Sequence, residues 1–113
     1  MINKKYRFHS RGGVKYVYNH GKTIRRPDLS LVVCENTRGK TRFAVVVSKK
    51  VLRSAVGRNR IRRRIYEAIR LDLDKFKKSR DYVFIVYSKS IKSQPFSELQ
   101  KTLRSLLEES MIQ

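Results

Sequence analysis

Residues 48–73 read SKKVLRSAVGRNRIRRRIYEAIRLDL. The part from 58 to 73 is typical of an amphipathic helix, because its apolar residues fall within a narrow arc at about 100° per residue. These residues are Ile61, Ile65, Ala68 and Ile69. The opposite face carries mostly arginines, and residues 48–64 contain eight basic residues and no acidic one. The segment therefore predicts a helix with one face in a core and the other towards a polyanion.

The start of this helix is predicted to bind anions. Arg58, Asn59 and Arg60 begin the predicted helix, where guanidinium groups and unpaired N-terminal amides can converge on phosphates. Arginine suits this role because its planar fork pairs with two oxygens and its charge does not titrate. Two other interpretations stay open at this point. One is a solvated charged face, although such faces usually mix signs, and the other is a localisation tag, although such tags are usually flexible.

Short strands are predicted on both sides of the helix. Residues 29–35, 42–48 and 82–88 are rich in β-branched and aromatic side chains. Residues 37–40 separate the first two of these segments and predict an antiparallel hairpin. Both alternating sets of side chains in the strands are largely apolar. Each face of the sheet must therefore be covered, or one face must form an apolar groove.

A short helix is predicted ahead of the first strand. It covers residues 10–19, with Ser10 as a possible cap and His20-Gly21 as the signal that ends it. The pair Gly12-Gly13 weakens this prediction, because glycine disfavours the helical backbone.

A last helix is predicted over residues 96–109, on a stripe of leucines, with Ser93 or Ser97 as its cap. The stripe consists of Leu99, Leu103, Leu106 and Leu107. The element order is then α-β-β-(β)-α-β-α, in which the bracketed strand is optional. This order indicates an α+β fold.

Length and charge limit the class of protein. The chain has 113 residues, which suits a single domain over 1–113, and a formal net charge of +19. A surplus this large favours a polyanionic partner, with nucleic acid first and an anionic membrane second. The longest apolar run, residues 82–87, is far too short to cross a bilayer, and the N-terminus lacks the apolar core of a signal peptide. We therefore expect a cytoplasmic protein.

The positive charge is concentrated in the first part of the chain. Residues 1–66 hold 19 basic and 2 acidic residues, whereas residues 67–113 hold 9 basic and 7 acidic ones. No linker rich in Pro, Gly or Ser separates the two parts, so we expect one domain with one basic side.

A metal-dependent protein active site is not expected. The acidic residues are few and scattered, and Asp72 and Asp74 are the nearest candidate pair. The single cysteine, Cys34, cannot form an internal disulfide, and with His9 and His20 it gives no spacing of metal ligands. We therefore predict no catalytic and no metal-binding residues in the protein.

The basic segment also resembles a known family signature. It contains Ser48-Lys49-Lys50-Val51, then Ala55-Val56, then Arg58-Asn59-Arg60-Ile61-Arg62-Arg63. This order is similar to the RNR motif of the protein component of bacterial ribonuclease P. The surrounding elements agree with that family, and the resemblance covers about residues 5 to 109.

The resemblance implies a basic protein that serves a catalytic RNA. In that family the RNA subunit removes the 5′ leader of precursor tRNA, using Mg²⁺ that the holoenzyme RNA requires. The protein is then an accessory subunit, with the ribonuclease P RNA and precursor tRNA as partners and neither a membrane nor DNA. The fold implied is a two-layer α/β sandwich with a left-handed βαβ crossover.

The resemblance also implies two sets of binding residues. The RNA subunit is expected to contact Lys49, Lys50, Arg53, Arg58, Asn59, Arg60, Arg62 and Arg63. The leader is expected to contact a cleft between the first helix and the sheet, at Val14, Tyr18, Val32, Tyr87 and Lys89. An aromatic residue is usual where Val14 stands, and a small residue followed by a basic one is usual where Val86 and Tyr87 stand.

Several alternatives stay open on sequence alone. Val14 and Val32 are as consistent with core positions as with leader contacts, because apolar strand and helix faces are mostly buried. The charge alone is equally typical of a ribosomal or other structural RNA-binding protein. A nuclease that acts without an RNA partner is a third possibility, which the scattered acidic residues disfavour.

Overall fold

The computed structural model describes residues 2–8 and 11–112. The chain forms three helices and four strands, joined by short 3₁₀ turns. The helices are α1 (Arg11–His20), α2 (Ala55–Leu71) and α3 (Phe96–Ile112). The strands are β1 (Lys22–Ile24), β2 (Leu29–Glu35), β3 (Arg42–Val47) and β4 (Arg80–Val86). The predicted α+β class is confirmed.

The four strands form one sheet in the order β1-β2-β4-β3. Strand β4 pairs antiparallel with β2, where Leu31 lies opposite Phe84, and parallel with β3, where Val45 lies opposite Phe84. The hairpin predicted between β2 and β3 is therefore wrong. Strand β4 takes the central position because six of its seven residues are buried, and a central strand is covered on both faces and both edges.

Strand β1 follows α1 directly and pairs antiparallel with β2 at the edge of the sheet. It has only three residues, Lys22, Thr23 and Ile24, which is too short for strand alternation to be recognised in the sequence. Strands β3 and β4 are joined through α2, which makes a βαβ unit. The left-handed crossover of this unit stays a prediction.

Two apolar cores lie on opposite faces of the sheet. The large core fills the space between the sheet and the layer formed by α2 and α3, and it contains Phe43, Phe84, Ile65 and Leu103. The small core lies under α1 and contains Phe8, Val17, Val32, Ala44, Val83 and Ile85. The expectation that both strand faces need cover is confirmed.

Helix α2 begins three residues and ends two residues earlier than predicted, whereas α3 begins as predicted at Phe96 and ends three residues later. Helix α2 begins at Ala55 because the Ser54 hydroxyl accepts a hydrogen bond from the Gly57 amide, at 3.1 Å. Helix α3 begins directly after Pro95, so Ser97 lies inside its first turn and is not its cap. Ser10 lies outside the described residues. In the part of the chain that the structure describes, no helix is both long and apolar enough to span a bilayer.

Candidate nucleic-acid interface

A groove of about 970 Å³ runs along β3 between α1 and α2, and we call it the cleft. Its floor consists of Phe8 and residues 44–47 of β3. One wall consists of Val14, Lys15 and Tyr18 on α1, and the other consists of Asn59, Arg62, Arg63 and Tyr66 on α2, with Arg7 beside it. The cleft therefore has an apolar floor between a wall with an exposed aromatic ring and a wall with arginines.

The side chains of the cleft differ in exposure. The ring of Tyr18 is 48% exposed, and Val14 is half-buried one helical turn before it. Arg63 is exposed, whereas Arg62 is half-buried and donates a hydrogen bond from Nη1 to the Asn59 Oδ1 atom at 3.0 Å. This combination suits single-stranded RNA, since bases stack on rings and apolar surface while phosphates pair with guanidinium groups.

Tyr66 connects the α2 wall of the cleft with Arg7 beside it. It is buried, and this burial raises the pKa of its hydroxyl above the ordinary value. The guanidinium group of Arg7 lies 5.8 Å from the centre of the Tyr66 ring and partly opposes that rise in pKa. The hydroxyl therefore stays protonated at neutral pH and can hydrogen-bond.

A second concave surface, which we call the loop pocket, lies between β3 and α2. It has a volume of about 840 Å³ and is lined by Lys49, Lys50, Val51, Leu52, Arg53, Arg58 and Lys89. Five of these residues are basic and none is acidic. Lys49, Lys50, Arg53 and Lys89 are exposed. The loop pocket is therefore a concentrated positive surface on which several phosphates can be bound.

Arg58 binds the backbone of the loop that forms the loop pocket. Its Nη1 atom donates hydrogen bonds to the carbonyl oxygens of Leu52 and Arg53, at 3.0 and 2.6 Å. Its backbone amide donates to the Ser54 carbonyl at 3.0 Å, within the first turn of α2. The prediction that Arg58 begins the helix with an unpaired amide is therefore wrong, because Ser54 caps the helix earlier. The side chain of Arg58 holds the loop 48–54 in place.

The predicted RNA-subunit residues are thus divided between two surfaces. Lys49, Lys50, Arg53 and Arg58 lie at the loop pocket, whereas Asn59, Arg62 and Arg63 line the cleft. Arg60 is exposed on the outer face of α2, where it shares a shallow pocket with Arg63 and Lys92. Arg64, which lies on the same helix, donates to the carbonyl oxygens of Ile91 and Gln94 and so connects α2 to the turn before α3.

The predicted leader residues are also divided. Val14 and Tyr18 line the cleft, and Lys89 lies at the loop pocket instead. Val32 has no exposed surface and packs in the small core, which agrees with the core alternative. Tyr87 is 40% exposed just after β4, where its amide donates to the Asp28 carbonyl at 2.9 Å, and it does not line the cleft.

Besides residues 44–47 on the floor, sequence reasoning missed four residues of the cleft: Arg7, Phe8, Lys15 and Tyr66. Tyr66 follows Arg62 by four positions and Arg63 by three, so helical spacing alone places it on the same face. Phe8 and Arg7 carry no such signal. They reach the cleft because the Phe8 amide donates to the Phe43 carbonyl at 3.0 Å, a contact between residues far apart in sequence.

Several acidic residues are held in ion pairs away from the cleft. Asp72 accepts hydrogen bonds from Arg104, which hold the pKa of this carboxyl below its ordinary value. Glu67 pairs with Arg70, and Asp81 pairs with Arg42 at 2.8 Å. Within residues 2–8 and 11–112, no group of three or more His, Cys, Asp or Glu residues is arranged to hold a metal ion.

The chain is similar to ribonuclease P proteins over nearly its whole length. The family model for Ribonuclease P matches residues 2–111. A ribonuclease P protein component of Clostridium botulinum is 38% identical over 99 residues, which is 87% of both chains. The one from Chloroflexus aurantiacus is 33% identical over 111 residues, covering 98% of this chain and 82% of the relative.

Solved structures show the same fold. The RNase P protein of Staphylococcus aureus has a TM-score of 0.80 and 24% sequence identity, covering 93% of this chain and 94% of the other. The RNase P protein of Thermotoga maritima also has a TM-score of 0.80, with 23% identity, covering 91% and 96%.

Proposed function

Since the chain belongs to the ribonuclease P protein family and is a subunit of ribonuclease P, we propose that it holds the catalytic RNA on one surface and the substrate on another. The loop pocket and the outer face of α2 bind the RNA subunit. The cleft binds the single-stranded 5′ leader of precursor tRNA. In this arrangement the protein is an accessory subunit in the cytoplasm, and the RNA performs the cleavage.

The composition of the cleft is the observation that carries this proposal. A folded RNA presents mainly its phosphates, for which a basic surface is sufficient. A single strand also presents unstacked bases, which need rings and apolar surface. The cleft supplies both kinds of contact, with Tyr18 on one wall, β3 on the floor and Arg63 on the other wall. The loop pocket supplies mainly charge.

The protein's acidic residues are not arranged for hydrolysis. Asp72 and Glu67 are engaged by arginines, and the cleft lining contains no acidic residue. In the proposed mechanism the RNA binds the Mg²⁺ that activates water and stabilises the leaving oxygen. The protein residues bind and orient the leader, and this increases the fraction of precursor that is correctly placed for the RNA.

Reconstitution tests this function. The protein is added to a bacterial ribonuclease P RNA at low Mg²⁺, with a tRNA precursor that carries a 5′ leader as substrate. We expect restored removal of the leader, because the protein's cations replace part of the charge screening that Mg²⁺ provides. No stimulation by the protein would contradict the proposal.

The alternatives give different outcomes in the same preparation. A self-sufficient nuclease would cleave the precursor without the RNA subunit, and we expect no such cleavage. A structural protein of the ribosome would pellet with ribosomes in preference to the ribonuclease P RNA. The match to the Ribonuclease P family over residues 2–111 favours the ribonuclease P RNA over the ribosome as the partner of this protein.

A further inference from the structure

Helix α1 also carries a pair of aromatic rings outside the cleft. The rings of Tyr16 and His20 are stacked, with their centres 4.1 Å apart and their planes inclined by 20°. The His20 Nδ1 atom donates a hydrogen bond to the Tyr16 carbonyl at 3.0 Å, which fixes the imidazole against the phenol ring. Both side chains are exposed, and Tyr16 is 56% exposed. This pair is therefore a preformed aromatic surface in contact with solvent.

Gly12 and Gly13 leave one face of the Tyr16 ring without a neighbouring side chain on the helix. Side chains in a helix lean towards its N-terminus, so His20 covers one face of Tyr16 and position 12 lies next to the other. Glycine in a helix costs up to about 1 kcal/mol relative to alanine. Helix α1 nevertheless begins with two of them. The two glycines thus weaken the start of α1, but they leave uncovered a face of the Tyr16 ring that a larger side chain would cover.

The ring pair and the cleft lie on opposite sides of α1. At about 100° per residue, Tyr16 points roughly 160° away from Tyr18 around the helix axis. Tyr18 lines the cleft, whereas Tyr16 lines a separate groove of about 380 Å³ that reaches the loop between β2 and β3. A base stacked on Tyr16 would therefore occupy a site separate from the cleft, and the two sites are separated by the width of one helix, about 10 Å.

The second groove is balanced in charge, with Arg38 and Arg42 against Glu35 and Asp81, and Arg38 is its candidate cation for a phosphate. Arg38 is exposed on the loop, and its amide donates to Asn36 Oδ1 at 2.9 Å, which positions the loop beside Tyr16. The two acidic residues of the groove have basic partners. Asp81 is bound by Arg42 at 2.8 Å, and Glu35 lies 3.8 Å from Arg80.

We propose that the Tyr16–His20 pair stacks with an unpaired base of the 5′ leader, upstream of the nucleotides that occupy the cleft, with Arg38 near its phosphate. The inference rests on the proposed function. The leader is the favoured source because it is single-stranded and supplies an unstacked base without the cost of opening a duplex. A few nucleotides of a strand that leaves the cleft span the width of α1.

The test measures holoenzyme affinity for precursors with successively longer leaders. For Tyr16→Ala we expect unchanged affinity with short leaders and a loss of about fivefold, or about 1 kcal/mol, once the leader is long enough to pass α1. Tyr16→Phe is the matched control and should retain affinity, since stacking needs the ring and not the hydroxyl. A leader with 2-aminopurine at the stacked position should show fluorescence quenching that Tyr16→Ala removes.

A second variant tests whether covering the Tyr16 ring lowers affinity when α1 itself is not destabilised. Gly12→Leu raises helix propensity and places a side chain next to the open face of Tyr16. We expect it to stabilise the free protein and still to reduce affinity for long leaders. Equal affinity of the wild type and Tyr16→Ala at every leader length would overturn the inference. A lower affinity of the Tyr16→Ala protein for the RNA subunit alone would overturn it as well.

The outcome for Tyr18 distinguishes the inference from the function on which it rests. If Tyr18→Ala reduces leader affinity and Tyr16→Ala does not, only the second stacking surface is wrong. If neither variant changes the dependence on leader length, the cleft itself does not bind the leader.

Discussion

Gly21 allows the end of α1 to lie directly on β2. A β-carbon at this position would stand 2.5 Å from the Val17 carbonyl oxygen and 2.8 Å from both the Val33 carbonyl oxygen and Val32 Cγ1. Two of these three atoms belong to the backbone and cannot move aside as a side chain does. The close approach of α1 to the sheet therefore depends on the absence of a side chain at residue 21.

Gly21→Ala should destabilise the protein by about 1–3 kcal/mol, because α1 must move away from β2 to admit the methyl group. Urea unfolding at neutral pH measures this change. Gly39→Asn is the control, since Gly39 has a φ of +73° with no heavy atom within 4 Å, and asparagine tolerates this backbone conformation. Equal stability of Gly21→Ala and the wild type would contradict the packing described here.

Tyr18→Ala should weaken binding of precursor tRNA by the holoenzyme about five- to fiftyfold and leave binding of mature tRNA unchanged. The expected loss is that of one base stacked on the Tyr18 ring, and mature tRNA has no leader to stack. Tyr18→Phe should bind both tRNAs like the wild type. Equal losses for precursor and mature tRNA would remove Tyr18 from the leader site.

For individual residues, the sequence predicted which side chains could bind RNA better than it predicted which of these side chains are exposed. It placed Val14 and Tyr18 correctly beside each other, since helical spacing is a local property. It did not determine that Val32 is buried, because the helix that covers Val32 is set by the glycine contact at residue 21. Lys89 was separated from the other loop-pocket lysines by about 40 positions, and only the parallel pairing of β3 with β4 brings them together.

An ion pair joins the end of α2 to the middle of α3. Asp72 follows the last turn of α2, is buried, and accepts hydrogen bonds from Arg104 Nε and Nη2 at 2.8 and 3.1 Å. Lys75 lies 3.5 Å from the same carboxylate. These contacts lower the pKa of Asp72 in the folded protein, the hydrogen bond from Arg104 having the largest effect.

Asp72→Asn should lower the urea midpoint at pH 7, and this difference from the wild type should shrink under acidic conditions. The pKa of Asp72 is lower in the folded than in the unfolded chain, so the carboxylate stabilises the fold above its unfolded pKa of about 3.9. That contribution is lost as the pH falls through the lowered folded pKa. Urea titrations of both proteins at pH 7 and near pH 3 provide the comparison. A difference that grows on acidification would contradict this account.

Prediction succeeded for individual elements and failed for the pairing between strands. The apolar stripe of α2 and the leucine stripe of α3 both face the large core, because helical periodicity records which side is buried. The order of strands depends on contacts between distant segments, which periodicity does not record. The short loop after β2 favoured a hairpin locally, but the more apolar β4 occupies the place between β2 and β3.

The arginines and lysines of the molecule have two different roles. Some arginines bind the protein's own carbonyl groups, as Arg58 does in the loop 48–54 and Arg64 does before α3. Others are exposed around α2 and the loop pocket. Leaving aside Arg70, which pairs with Glu67, the exposed set in this region consists of Lys49, Lys50, Arg53, Arg60, Arg63 and Lys89.

With about five phosphates neutralised by this exposed set without Arg63, which lines the cleft, the logarithm of RNA-subunit affinity should fall against the logarithm of salt concentration with a slope of about −3.5 to −4.5. Arg60→Ala should reduce the magnitude of this slope by just under one. Arg58→Ala should reduce affinity with less change of slope, because its guanidinium group positions the loop. Filter binding across a salt series measures both, and an equal change of slope in the two variants would contradict the structural role of Arg58.

The position of β4 at the centre of the sheet determines the order in which the protein can fold during translation. Strands β2 and β3 leave the ribosome early, but they have no contact with each other until β4 enters the gap between them. Neither core can close before about residue 86 has been synthesised and released from the exit tunnel. The nascent chain therefore carries a strongly basic, unfolded stretch ahead of β4 beside ribosomal RNA, and its compact state forms only after β4 has emerged.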